Sequence, residues 1–252
     1  MPALRANTRG EADGGVFERL VEHATWREVK VFQIYFEDGQ AAALDYIPYR
    51  NDDCTIYFEN SVIRSLIESG AHEGSDYFGV VSHRLRDKLA TTRTFWRGTP
   101  IGNLSDRTFT PGDFEAELLG ARPDAMGFQH HPPHDPVTLA NQFHPNFSDH
   151  FARVMAAIGY RWTPTVFEHV FYFNHLVATP AVYERYVKEM LAPAMAAMDA
   201  MPELMQDSRY GSGLPAPLRA RFGIAHYPYH PFLCERFFSY FAHLNKLSCA
   251  HY

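Results

Sequence analysis

Two periods of apolar residues alternate along this chain, and the switches between them mark its elements. VKVFQIYF (29–36) is a near-continuous run of β-branched and aromatic residues and predicts a buried strand. FENSVIRSLIESG (58–70) returns to helical spacing, with Gly70 as its stop. DYFGVVS (76–82) predicts a second strand, and HRLRDK (83–88) begins a turn or helix after it. GDFEAELLGARPDAMGFQ (112–129) predicts a helix followed by a strand.

The segment 130–151 is Pro- and His-rich at its start and then helical into ARVMAAIGY (152–160). FEHVFYFNHLVA (167–178) predicts a third strand, and 179–201 predicts the longest helix, with Pro180 near its start, where proline is tolerated. A Gly/Pro-rich loop over 205–231 precedes a closing helix, FLCERFFSYFAHLNKL (232–247). Upstream, VFERLVEHATW (16–26) has helical spacing, 1–15 reads as a flexible leader, and 91–111 reads as a Gly/Pro/Thr-bearing connection. Strands alternating with helices of this length favour an α/β domain with a mostly parallel central sheet flanked by helices. No repeat or linker divides residues 16–252, which read as a single domain.

Composition narrows the function. The formal net charge of −6 argues against sequence-independent nucleic-acid binding, which needs a basic stripe. Three widely spaced cysteines with no CxxC pair give neither a disulfide framework nor a zinc-thiolate site. No apolar run is long enough for a transmembrane segment, and no signal core is visible at the start. A cytoplasmic protein is expected. Peripheral association with the inner face of a membrane stays open.

Four constellations carry candidate chemistry. Ser82, His83, Arg84, Arg86 and Lys88 follow a strand, where open α/β sheets place their ligands. A diphosphate there needs two or more cations, and Arg84 and Lys88 would share a helix face. His130, His131, His134 and Asp135 invite a metal reading, but their spacing matches no established zinc pattern and Pro132 with Pro133 breaks any helix. Asp124 and Gln129 bracket the preceding strand, and the His-rich segment after it is a candidate active-site rim. Glu168, His169, Asn174 and His175 surround the third strand, and Glu168 is one carboxylate able to take a proton from an acceptor hydroxyl. Glu235 and Arg236 stand at the start of the last helix, either as a helix-surface ion pair or N-terminal capping charge, or with Glu235 under the acceptor or donor sugar as base or hydroxyl clamp.

Three segments, taken together, resemble one family. FQIYF, LDYIPYRND, YFENSVIRSLIES and DYFGVVSHRLRDK are similar to the N-terminal half of bacterial glycosyltransferase-like proteins of capsule and lipopolysaccharide clusters. Those carry a Tyr-Gln-Ile-Tyr-Tyr strand, an Ile-Pro-Leu-Asp-Asn turn and a Tyr-Gly-Phe-Leu-Ser strand followed by basic residues. FNHLVATPAVYERYV resembles their strand ahead of a long helix, and HPFLCERFFSYF their closing Glu-Arg-Leu-Phe-Ser helix. HHPPHDP departs from the Asn-Pro-Phe-Pro turn of that family.

The resemblance implies a GT-A-like fold and transfer of a sugar from a nucleotide-sugar donor to a glycan or lipid-linked glycan acceptor. On it, Gln33, Tyr35, Pro48 and Asn51 line the nucleotide side, and Ser82, Arg84 and Lys88 face the phosphates. Arg236 lies on the sugar side with Glu235 or Glu168 as base, and Gln129, His130, His131 and Asn174 form the acceptor side or rim. No DxD pair supplies a manganese or magnesium carboxylate, which leaves metal independence or a histidine substitute. Two rival expectations stand beside this one. The first is a metal-dependent hydrolase on His130, His131, His134 and Asp135. The second is a glycan- or nucleotide-binding subunit without turnover.

Overall fold

The structure, a computed structural model, describes residues 28–36, 40, 44, 46–89, 95–96, 99–100, 108–211 and 213–252. The expected leader and the helix over 16–26 lie outside the described residues, as does most of the 91–111 connection.

Six strands form one mixed sheet: β1 (Val29–Tyr35), β2 (Ile47–Arg50), β3 (Tyr77–Ser82), β6 (Ala125–Gly127), β7 (Leu176–Ala178) and β8 (Cys249–His251), in the order β2-β1-β3-β7-β6-β8. The two remaining described strands, β4 (Phe95–Trp96) and β5 (Thr99–Pro100), pair only with each other. β1 is parallel to β2 and β3, β6 is parallel to β8, and β7 runs antiparallel to both β3 and β6. Five strands therefore point one way and β7 alone is reversed, so the sheet is mostly parallel but mixed.

Alternation along the strands builds two cores. Phe32, Ile34, Phe78, Val80, Leu176 and Ala178 face one side, and their neighbours Val31, Tyr77, Val81 and Val177 face the other. The first side carries most of the helices: α1 (Glu59–Glu68), α4 (Pro136–Ala140), α5 (Phe147–Ala157), α6 (Pro180–Tyr186), α7 (Ala192–Asp199) and α9 (His230–Asn245). The second side is covered by α2 (Leu85–Leu89) and α3 (Pro111–Ala121), where Phe114 stacks on Phe128 at 4.2 Å. Each fully buried side chain of this kind contributes about 1.5–3 kcal/mol through removal of apolar surface from water.

Local chemistry explains most boundaries. Thr110 caps α3 by accepting a hydrogen bond from the Asp113 amide, and Pro111 sits in the first turn, where its missing N–H costs nothing. Gly70, with φ 76°, takes the chain out of α1 in the left-handed region, as expected. The long helix over Pro180–Asp199 contains a π turn, Val187–Leu191, just ahead of Pro193. Pro193 has no N–H to offer the carbonyl four residues back, and the wider turn relieves its ring.

Three sequence expectations need correction. Only Leu176–Ala178 of the 167–178 run is a strand, because the chain turns at Phe173 and Asn174, both with positive φ (58° and 56°). The 205–231 loop holds a short helix, α8 (Ala216–Phe222), closed by left-handed Gly223. The expected "surface" alternative for the last helix fails: α9 is buried along most of its length. β2, an edge strand with exposed Pro48, and β8 were not anticipated.

Candidate active site

The parallel strands β1, β3 and β6 end at one edge of the sheet, and β7, being reversed, begins there. In register, Gln33 lies between Pro48 and Val81, Ile34 beside Ser82, and Gly127 beside both Leu176 and His251. The His83 amide donates to the Ile34 carbonyl at 2.8 Å and the Asn51 amide to Tyr35 at 2.9 Å, so the loops leave both strands together.

Gln33 is 1% exposed, and neither atom of its carboxamide has a hydrogen-bond partner. Asn51 Nδ2 and Gln129 Oε1 are likewise buried without a partner. A buried amide left unpaired costs about 1–3 kcal/mol, so three at one edge mark a place where a polar ligand would be welcomed. Tyr35 is half-buried at the end of β1, and Pro48 is exposed on the edge strand.

The charged groups gather beside this edge. Lys88 is half-buried, with its ammonium 3.9 Å from the centre of the Phe173 ring, and its carbonyl accepts from Gln129 Nε2 at 2.8 Å. Arg84 is exposed one helical turn earlier. From α9, Glu235 accepts from Arg236 Nη1 at 2.6 Å, and the guanidinium lies over the Tyr172 ring at 4.9 Å. Arg236 and Glu235 side chains retain only 9% and 16% exposure, and Arg236 Nε has no partner.

Burial pushes the Glu235 carboxyl up from its ordinary value, opposed by Arg236 and Lys88, while burial lowers the Lys88 ammonium, opposed by Glu59 and Glu235. A carboxylate held above its usual range is a stronger base than an exposed one, and the adjacent cations can face a leaving anion.

Behind the cluster, His134 Nδ1 donates to the Pro132 carbonyl at 2.7 Å, since a carbonyl can only accept. Burial lowers the His134 pKa, so in the neutral ring Nε2 accepts from the Tyr172 hydroxyl at 2.6 Å. His134 therefore positions the ring that carries Arg236. Ser82 Oγ lies 3.5 Å from Nε2 of His175, whose pKa burial drives well down.

The proposed metal set is not assembled. Asp135 caps α4, accepting from the amides of Val137 and Thr138. His130 stacks on His251 at 5.6 Å, His131 packs edge-on against Tyr172, and His134 is engaged as above. Among the described residues no group of three His, Cys, Asp or Glu side chains could hold a metal ion.

Glu168 is exposed beside β8, and its charge acts on His169 and Cys249, whereas the charges that act on Lys88 are those of Glu59, Glu235 and Arg84. Asn174 is buried in the turn before β7. Sequence reasoning missed Glu59, at the start of α1, whose charge reaches His83, Lys88 and Glu235. It also missed Tyr172 and Phe173, hidden inside a run that reads as strand. The one available signal was Asn174, a residue type that tolerates the left-handed region.

No family model, curated protein or solved structure matches the chain. Among the described residues, no helix is long and apolar enough to cross a membrane.

Proposed function

We propose that the protein is a glycosyltransferase with a GT-A-like arrangement. It moves a sugar from a nucleotide-sugar donor to a hydroxyl of a glycan or lipid-linked glycan acceptor in bacterial surface polysaccharide assembly, on the cytoplasmic side. The observation that carries this reading is the gathering of Lys88, Arg236 and the partly buried Glu235 at the carboxyl edge of β1 and β3. The order of the family-like segments along the chain supports it.

In this mechanism the diphosphate lies against Arg84 and Lys88, with Gln33 and Asn51 toward the nucleoside. Glu235 takes the acceptor proton as the acceptor oxygen bonds to the anomeric carbon. The bond to the leaving phosphate oxygen breaks with its electron pair, and the cations offset the charge that appears there. Glu235 is preferred to Glu168 because it alone of the two shares the cluster with Lys88.

A thermal-shift panel of nucleoside diphosphates and nucleotide sugars, with and without manganese, tests the reading. One nucleotide family should raise Tm by mass action. The Arg84→Ala/Lys88→Ala double variant should lose that shift and turnover while keeping its ligand-free Tm. Silence from every nucleotide would overturn the proposal.

A further inference from the structure

On the helix-rich side of the sheet, the segment 53–57 passes over a cleft of about 780 Å³ bounded by α1, α7 and α8. Its size is that of a small-molecule site. Its charges are largely tied up: Arg64 Nε binds Glu68 Oε1 at 2.7 Å, and Arg221 lies 3.7 Å from Asp53. Asp199 accepts from the Tyr57 hydroxyl at 2.7 Å through Oδ1 and has no cationic partner among the described residues. An anion would meet that uncompensated carboxylate, and the paired charges leave no free guanidinium among the described residues of the lining to hold it.

The remaining lining suits a neutral ligand with many hydroxyls. Ser65 offers a hydroxyl that donates or accepts, Ser61, whose hydroxyl donates to the Phe58 carbonyl at 2.7 Å, can accept, the carboxylates accept, and Phe222 supplies an apolar ring face. The cleft also adjoins the charged cluster. Phe222 packs edge-on against Phe58 at 6.0 Å, and Phe58 directly precedes Glu59, with the strained φ of 50° that sets the start of α1. Glu59 acts on both sides, on the Cys54 thiol in the cleft wall and on Lys88 and Glu235 beyond it.

We propose that this cleft binds a neutral saccharide and is the acceptor subsite of the transfer, an inference that rests on the transferase reading above. The saccharide would lie along α1 with its reactive end directed past Phe58 toward Glu235. The subsite belongs to the 53–57 segment and to α7 and α8, none of which the donor side uses.

Saturation-transfer NMR on the full chain tests this, with maltose, lactose and cellobiose as probes in the presence and absence of uridine diphosphate. At least one disaccharide should receive saturation from the protein. Ser65→Trp, which fills the cleft from an exposed helix position, should weaken that binding by about tenfold or more. Asp199→Asn is the second variant should the first fail to fold, and should weaken it as well. Any nucleotide-induced rise in Tm should persist in both. Absence of binding by all three disaccharides overturns the proposal, and so does binding that survives in both variants. Saccharide binding in a protein that no nucleoside diphosphate or nucleotide sugar stabilises overturns the acceptor role together with the transferase reading. Nucleotide stabilisation without saccharide binding overturns the subsite alone.

Discussion

Two neighbouring regions at the carboxyl edge are equally rich in reactive side chains and are built on opposite principles. In one, Lys88, Glu235, Arg236 and Glu59 confront each other as charges, partly stripped of water, with Arg236 Nε unpaired. In the other, around β8, His130 and His169 stack on His251, whose Nδ1 donates to the Gln129 carbonyl at 2.8 Å. The first region holds charge in tension. The second holds rings in contact, and burial takes His251 down to about 3 and lowers His169 as well. Residue type alone would have ranked the histidines as the reactive set. What the groups face decides otherwise.

The largest test of this contrast is Arg236→Met, which leaves Glu235 buried without its bidentate-capable partner. Breaking a buried pair costs about 3–5 kcal/mol, visible as a lower urea midpoint, and adding Glu235→Gln should restore most of the loss. A cost under about 1 kcal/mol would place the pair among ordinary exposed ion pairs. Next is Gly127→Ala, where the new Cβ would sit 2.6 Å from His251 Nδ1 and 3.2 Å from Phe171 Cδ1. Overpacking of this kind costs about 1–3 kcal/mol, and it should disturb the histidine stack while nucleotide-induced stabilisation survives.

The two regions should also respond to pH with opposite signs. The folded-state pKa values of His251 and His169 are lowered, so in the window between those values and about 6.5 the unfolded chain binds more protons. Their stability is complete above that window and is lost as pH falls, and His251→Phe should flatten the acid limb in a urea titration. Glu235 is raised, so its folded form binds the extra proton. Its contribution is favourable at low pH and is lost as pH rises through the folded value. An acid limb unchanged by His251→Phe would remove the stack from that balance. The smallest effect belongs to Tyr172→Phe, which strands the buried His134 Nε2 and should cost about 1–2 kcal/mol with a weaker hold on Arg236.

Legibility from sequence followed element length and range of contact. β1, α1, β3 and the α3–β6 pair declared themselves because their periods run long enough to distinguish. β2 and β8 are too short, and Pro48 disguised the former. The run 167–178 looked like one strand because Phe, Tyr and Val favour strands wherever they occur, whereas Phe173 and Asn174 turn the chain through left-handed geometry that leaves little mark in sequence. The basic loop after β3 could be read locally. Its approach to Glu235 of α9 was legible only through the family resemblance, because packing across most of the chain brings the two charges within reach of each other. Asp135 illustrates the reverse case: beside three histidines it left a ligand reading open as a rival, and ahead of Pro136 it is a helix cap.

The reversal of β7 has a consequence for how this chain could vary. Because β6 ends and β7 begins at the same edge, the stretch between them departs from and returns to one point. Its neck is fastened there: the Phe167 amide donates to the His134 carbonyl at 2.9 Å, and the Thr165 amide to Asp135 at 3.2 Å. What lies beyond the fastening is nonetheless sewn into the molecule: Val137, Phe147, Phe151, Val154 and Met155 of α4 and α5 are sunk in the same core as the sheet, and Phe151 packs on Phe237 of α9 at 5.6 Å. The excursion can therefore change in length only at its exposed turns, while its buried face must keep matching α9, and that face forms one wall above the same set of charges.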